Sequence, residues 1–454
     1  MSSQPSNATL LGTGRLVLGL ACVSQFMVIL DASIVNVAMP SIQVDLGFSG
    51  TGLAWVVNGY LLTFAGFLLL GGRAADLFGR RRLLVTGLLL FAAASLLAGL
   101  ATSPEVLVAA RVVQGIGSAL LAPATLAVLN TAFTEPHERA RAFGAWSAAG
   151  GIGGTAGALA GGALTTGLSW RWIFLINVPI GVALIAAALT SLPGARPLRR
   201  EPLDLAGALT ATAGLAAAIF GVMQSADHEW TSVRVAGPVL AGVLLLVAFT
   251  IVEARIAARP MLPLRLFRSR RVAVGTALLL VFGGIGIAMW YFGSLLLQNV
   301  LGYSALRAGL GQTPAAVTFV VVARLAAGLL PRTGVRPLIL AGAVLFLAGF
   351  GWLSQAGTGS GYLVAVLGPM LLVAGGIGLT FPTLMATVTA GVAEDDAGIV
   401  GGLANTASQI GGSIGLAVLT TVAVGGYHLV FLVAAALGPA IALVSALLPR
   451  SPRA

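Results

Sequence analysis

The sequence predicts an all-α membrane protein of fourteen spanning helices, arranged as two six-helix bundles with two central helices inserted between them. Three observations predict it: a composition suited to lipid, fourteen apolar runs of spanning length, and a small-residue motif repeated at matching places in the two halves.

Of 454 residues, 58% are hydrophobic and 9% charged, against about 25% charged in a soluble domain. An interior alone does not need so much apolar surface, so the exterior is apolar too. Glycine, 61 of 454, is about twice its usual ~7% share. Membrane helices pack through small residues because lipid supplies no hydrophobic drive between them. The net charge of +11 does not mark a nucleic-acid binder, because every basic residue is Arg and the arginines fall between apolar runs rather than on one face. The single Cys22 excludes an internal disulfide, and one Cys with three scattered His builds no metal cluster. The polar N-terminus up to Thr13 has no basic cluster and no small-residue cleavage site after a short apolar core, so the first apolar run reads as a retained helix.

A helix crosses the ~30 Å hydrocarbon core with about 20 apolar residues. Such runs lie at 15–39, 51–71, 83–102, 104–130, 140–166, 171–192, 204–225, 234–254, 272–298, 305–330, 336–355, 361–386, 398–424 and 427–448. Spanning strands would alternate over only about 10 residues. Reading 204–254 as soluble would leave two long apolar runs in water. With the N-terminus inside, 20 of the 25 arginines fall in cytoplasmic loops or at cytoplasmic helix ends; Arg171, Arg234 and Arg307 lie outside, and Arg111 and Arg324 within spans. That is the positive-inside bias, and it predicts both termini in the cytoplasm.

The fifth span contains Ile152-Gly153-Gly154-Thr155-Ala156-Gly157, and the thirteenth Ile410-Gly411-Gly412-Ser413-Ile414-Gly415. With spans seven and eight set aside, each is the fifth helix of a six-helix half. Gly79-Arg80-Arg81-Arg82 and Arg332-Thr333-Gly334-Val335-Arg336 likewise occupy the same loop of the two halves. The division is therefore 1–193 for the first bundle, 194–271 for the inserted helices with their linkers, and 272–454 for the second bundle. Such duplicated halves are a plan for transporters that rock around a midplane site.

Four stretches carry a family resemblance. Leu30-Asp31-Ala32-Ser33-Ile34-Val35-Asn36-Val37-Ala38-Met39-Pro40 lies in the first span, and Gly72-Arg73-Ala74-Ala75-Asp76-Leu77-Phe78-Gly79-Arg80-Arg81 after the second. Arg111-Val112-Val113-Gln114-Gly115-Ile116-Gly117 lies in the fourth, and Ser169-Trp170-Arg171-Trp172-Ile173-Phe174-Leu175-Ile176-Asn177-Val178-Pro179-Ile180-Gly181 opens the sixth. In this order and at these spans the chain resembles the major facilitator superfamily, in its fourteen-helix drug:proton antiporter branch of multidrug and antibiotic exporters. The resemblance implies proton-coupled export of hydrophobic, in some cases cationic, drugs or antibiotics across a bacterial inner membrane. The implied partners are a small-molecule substrate, protons and the lipid bilayer, with no cofactor and a monomer as the working unit. Two positions depart from the pattern. Ala74 stands where an aliphatic residue is usual, and Ala158 where the fifth-helix motif has a proline that would remove a backbone donor and kink the helix. The second departure keeps open a metabolite or lipid-like compound symporter or facilitator of the same fold. A non-transporting membrane sensor is a third reading, disfavoured by the lack of a long cytoplasmic tail.

The residues themselves point to working parts. An acid within a span costs ~3 kcal/mol or more and is a functional hypothesis by default. Asp31 is such an acid, eight residues below the outer end of its span, and Arg111 lies seven below the outer end of the fourth, so the two share a depth; with the first and fourth helices adjoining, as the resemblance implies, they can pair directly or through Gln114. Burial favours a protonated carboxyl and a nearby arginine an ionised one. Relative motion of the two would switch proton binding, whereas a static pair would only orient two helices. In the 2–3 loop, Gly72 and Gly79 would turn the chain, and Asp76 with Arg80 and Arg81 would form a charge latch on the cytoplasmic gate, as the resemblance implies. Gln25, Asn36, Asn58, Gln114 and Gln298 are candidates to line a substrate cavity, or to satisfy neighbouring backbone. Gly153, Gly154, Gly157, Gly161, Gly162, Gly411, Gly412 and Gly415 are candidates for close helix packing. Glu253 and Arg324 read as snorkelling side chains. Asp227-His228-Glu229 and Glu394-Asp395-Asp396 read as solvated turns. No phosphate-binding Gly-rich Lys loop is present and no Ser/His/Asp constellation is plausibly placed, so the chain is not read as an enzyme or an ATP-driven pump.

Overall fold

The computed structural model describes residues 7–133, 135–192, 204–257, 260–392 and 394–449. Among them, thirteen helices are long and apolar enough to cross a membrane. In chain order these are α1 (Gly14–Leu46), α2 (Trp55–Phe78), α3 (Arg80–Gly99), α4 (Pro104–Ala132), α6 (Trp172–Ser191), α7 (Leu205–Gln224) and α8 (Val233–Ile256), then α9 (Arg270–Val300), α10 (Ala305–Thr333), α11 (Val335–Leu353), α12 (Leu363–Thr389), α13 (Gly398–Gly425) and α14 (Tyr427–Ser445). The remaining member, α5 (Pro136–Gly167), has 32 residues and lies where the fifth span is expected. Nine of those residues are glycine, which lowers its hydropathy without shortening it.

The helices begin and end where local chemistry directs. Ser103 precedes Pro104 and caps α4 by accepting from Val106 N, with proline at the first turn, where its missing donor is not needed. Ser304 caps α10 in the same way. The narrow gap between the last two spans is bridged by a short 3-10 turn, Ala423–Gly425, and by Gly426 at φ +108°. A left-handed φ of this size is open to glycine and strained for other residues.

The two halves have the same packing scheme. In the first, α1 lies along α5, α2 and α3 along α4, and α3 along α6; in the second, α9 lies along α13, α10 and α11 along α12, and α11 along α14. The glycines explain the closest of these contacts. A Cβ on Gly153, Gly157 or Gly161 would come within 2.8 Å of α1 atoms, and one on Gly411 or Gly415 within 2.5 Å of α9 atoms. Gly154 and Gly412 have only ordinary contacts, at 3.7 and 3.5 Å, so these two do not set the helix approach. Ser33 Oγ adds a hydrogen bond to the Gly154 carbonyl, 2.7 Å.

The repeated loop is also duplicated in detail. Gly79 (φ +89°) and Gly334 (φ +79°) hold the same place before α3 and α11. Arg81 donates to the Leu189 carbonyl at the end of α6, and Arg336 to the Ala446 and Leu448 carbonyls at the end of α14. Each arginine thereby satisfies carbonyls that a helix terminus leaves unpaired.

The halves meet along α5 with α10 and α2 with α13, and α7 packs beside the second seam on both α2 and α13. At the arginine-poor end the contact is tight. A Cβ on Gly162 would lie 2.7 Å from the Ala305 carbonyl, Gln298 Nε2 donates to the Val37 carbonyl at 3.0 Å, and Leu306 N donates to Thr166 Oγ1 at 3.3 Å. The inserted helix α8 shows Leu240, Val243, Leu244, Val247 and Ile251 on its exposed surface, which suits a lipid-facing helix.

Candidate functional site: a buried carboxylate at the crossing of five helices

α1 runs unbroken past Asp31, which is fully buried. α4 presents Arg111 and, one turn on, Gln114, on one face of the helix. Arg111 is the largest fully buried side chain among the described residues. Its Nη1 donates to Asp31 Oδ2 at 2.6 Å and to Gln114 Oε1 at 2.7 Å, and its Nε donates to the Val56 carbonyl of α2 at 2.9 Å. The guanidinium carbon lies 4.3 Å from the Tyr60 ring centre and 5.7 Å from that of Phe174, a cation between two aromatic faces.

Asp31 Oδ1 accepts twice more: from Gln114 Nε2 at 2.7 Å and from Asn177 Nδ2 at 3.0 Å. Gln114 Nε2 also donates to Ser95 Oγ of α3 at 2.8 Å, and Tyr60 donates to Ser118 Oγ at 2.8 Å. The carboxylate therefore has three donors from α4 and α6, in a network that also takes in α2 and α3. A buried ion pair holds only when its partners are matched and its remaining polar atoms bonded. Here that condition is met for every Asp31 oxygen. The arrangement holds a carboxylate away from water with donors on both of its oxygens.

The expected pairing at a common depth is present, with Gln114 bonded to both members. Gln114 is thus a member of this buried network rather than a side chain facing an open cavity. Asn58 likewise faces a packed neighbour rather than open space. It is buried between α2 and α7, with Nδ2 3.8 Å from Met223 Sδ, because the inserted helix covers that face of α2. Gln298 lies in the contact between halves, bonded to Val37 O and Ser294 Oγ. Gln25 lies beside Gly150 of α5, and Asn36 is half-buried.

Gly72 does not turn the chain. α2 continues through it to Phe78, and only Gly79 has the left-handed φ. Arg80 donates to Thr131 Oγ1 at 2.5 Å and Arg81 to Leu189 O at 2.7 Å, both within the first half. The Asp76 side chain lies outside the described residues. Glu253 does not snorkel: it is buried, and its Oε2 accepts from Leu262 N at 3.0 Å, folding the linker after α8 back against it. Asp396 is not a solvated loop residue. It lies in a helix that begins at Glu394, and Arg265 grips both its oxygens at 2.8 Å.

Asn177, Ser95 and Tyr60 were missed as site residues. Asn177 stands inside a quoted motif, and an amide within an apolar span was the signal that could have found it. Ser95 and Tyr60 look like ordinary span residues until five helices converge.

Two relatives and one solved structure are similar to this chain. The chain is 45% identical over 428 residues to the cephamycin export protein CmcT of Amycolatopsis lactamdurans, covering 94% of this chain and 88% of that one. It is 41% identical over 413 residues to the puromycin resistance protein pur8 of Streptomyces alboniger, covering 88% and 80%. An auto-inhibited POT-family peptide transporter superposes with a TM-score of 0.72 at 15% identity, over 97% of this chain and 98% of that one, a likeness of fold alone. Residues 21–416 match the sequence model of the Major Facilitator Superfamily. With the paired six-helix halves and a match over most of the chain, this protein is a member of the Major Facilitator Superfamily, a multi-pass membrane transporter and not an enzyme.

Proposed function

We propose that the protein exports hydrophobic, in some cases cationic, drugs or antibiotics across a bacterial inner membrane by proton-coupled alternating access. The observation that carries the coupling is the Asp31 carboxylate, fully buried and held at 2.6 Å by Arg111 from another helix. The export direction and substrate class are supported by the relatives, whose names describe cephamycin export and puromycin resistance. In this reading the arginine-rich end and both termini face the cytoplasm. Residues 1–193 and 272–454 rock against each other, with 194–271 riding beside the α2–α13 seam. The close contacts at the arginine-poor end then correspond to a transporter shut toward the outside. The protein works as a monomer in the bilayer.

The cycle follows from electrostatics. While Arg111 neutralises Asp31, a proton gains little by binding there. Rocking that draws Arg111 away leaves a carboxylate in a low-dielectric setting, which favours taking up a proton. One proton entering through ~150 mV supplies about 3.5 kcal/mol, enough for a roughly 300-fold substrate gradient. The unbroken α5 through Ala158 keeps a second reading in view, a metabolite or lipid-like compound carrier of the same fold.

Ethidium flux in inverted vesicles energised by a proton gradient tests the proposal, wild type against Asp31→Asn. Uptake by wild type that an uncoupler or the substitution abolishes is the expected result. Equal flux in both proteins would remove Asp31 as the obligatory proton carrier. Absence of flux in both would withdraw ethidium and shift weight to a narrower exporter or a metabolite carrier.

A further inference from the structure

The hydrogen-bond inventory around Asp31 is one-sided. All three of its partners are donors: Arg111, Gln114 and Asn177. That set suits an ionised carboxylate, which only accepts. A protonated Asp31 would present a new O–H, and a buried donor without an acceptor is costly. The surrounding acceptors are nearly all in use. Gln114 Oε1 is taken by Arg111, and turning that amide would set its NH2 against the guanidinium. The Val56 carbonyl is taken by Arg111 Nε, and Ser95 Oγ by Gln114. The titratable and charged groups facing the site are Arg111 from α4 and Tyr60 from α2. Arginine has no acceptor, and the Tyr60 hydroxyl is bonded to Ser118.

One acceptor stands apart. Asn177 is fully buried, and its Oδ1 has no hydrogen-bond partner among the described residues. Its Nδ2, on the same amide, is already on Asp31 Oδ1. A half-turn about the last side-chain bond would exchange the two atoms.

We propose that the Asn177 amide turns over with the protonation of Asp31, donating through Nδ2 to the ionised carboxylate and accepting through Oδ1 from the protonated carboxyl. Asn177 is then a positioning residue that supplies the proton-loaded state with an acceptor that no donor among the described residues uses. It relieves its own orphaned oxygen in the same movement. This rests on the reading of Asp31 as the proton carrier.

The sign of one shift tests it. Infrared titration of the purified protein reads the protonated-carboxyl band, assigned to Asp31 by its loss in Asp31→Asn. If wild type has no such band, the proton-carrier reading fails and the Asn177 proposal with it. If the band is present, Asn177→Leu removes donor and acceptor at similar volume. A purely donating role would raise proton affinity on this substitution, because only the ionised form loses a bond. The turning amide predicts no such rise, since the protonated form loses its acceptor at the same time as the ionised form loses its donor, and the two losses oppose each other. Expected is a midpoint that does not rise, against a rise of about one pH unit, a roughly tenfold gain in proton affinity, for a residue that only donates. A raised midpoint in Asn177→Leu overturns the proposal. If that variant does not fold, Asn177→Ala carries the same test with the same sign.

Discussion

Removing Arg111 should reveal how strongly the central pair is coupled. Arg111→Met keeps much of the side chain's length but discards the charge. It breaks the 2.6 Å bond to Asp31 and leaves the Val56 carbonyl and Gln114 Oε1 without their donor. Both partners are at most 1% exposed, so water does not replace what is lost. Breaking a pair buried to this degree costs about 3–5 kcal/mol, chiefly because one charge remains uncompensated. Asp31→Asn should cost a similar amount, since it strands the guanidinium in turn. The double substitution leaves no buried charge, so its cost should fall short of the sum by about 2–3 kcal/mol. Reversible denaturation in mixed micelles, run as a double-mutant cycle, measures this. Additivity within about 0.5 kcal/mol would refute the reasoning, because it would mean that each residue is stabilised independently of the other.

Two further outcomes follow from the backbone. A Cβ on Gly411 would fall 1.8 Å from the Leu280 carbonyl, whereas one on Gly412 has nothing nearer than 3.5 Å. Gly411→Ala should therefore lose about 1–3 kcal/mol through forced separation of α9 and α13, while Gly412→Ala should be neutral or slightly stabilising by helix propensity; equal effects in the same denaturation assay would contradict the packing argument. Gly79→Ala and Gly334→Ala, at φ +89° and +79°, should each cost about 1–3 kcal/mol of backbone strain, and a loss at one position only would argue against equivalent roles for the two loops.

The duplication does not extend to charge. α4 carries Arg111 at the centre of the network, whereas its counterpart α12 has no charged residue from Leu363 to Thr389. The halves share a skeleton of glycine contacts and arginine-capped helix ends, but among the described residues the fully buried acid–base pair lies in the first half. In the proposed cycle, one half titrates and the other responds by moving.

Much of this was legible in the sequence because the rules behind it are local or periodic. Run length and apolarity alone define a spanning helix, and the described spans begin and end within several residues of the runs. The repeated Ile-Gly-Gly motif located the two fifth helices, since only small residues admit a neighbouring backbone at the distances seen for Gly157 and Gly411. Equal depth, together with the adjoining of the first and fourth helices that the resemblance implies, anticipated the Asp31–Arg111 pair, because helix rise is fixed at about 1.5 Å per residue.

What the sequence could not supply is rotation about each helix axis and the identity of its neighbours. Depth is the same whichever way a side chain points, so the sequence left Asn58 open between a cavity and a packed neighbour, which α7 supplies, and left Gln114 open between a cavity wall and the ion pair, to which it is bonded. Composition near a helix end likewise suggested that Glu253 and Asp396 reach water, but the folded-back linker supplies a Leu262 N–H to one and the Arg265 guanidinium to the other. Asn177 became a ligand of Asp31 only when α6 was set against α1 and α4. The sequence by itself determined where the apolar helices lie and which of them pack through glycine, because these follow from transfer into lipid and from side-chain size. Only the tertiary structure decided which polar atoms meet, because a hydrogen bond between helices depends on a few tenths of an ångström in packing that no single helix encodes.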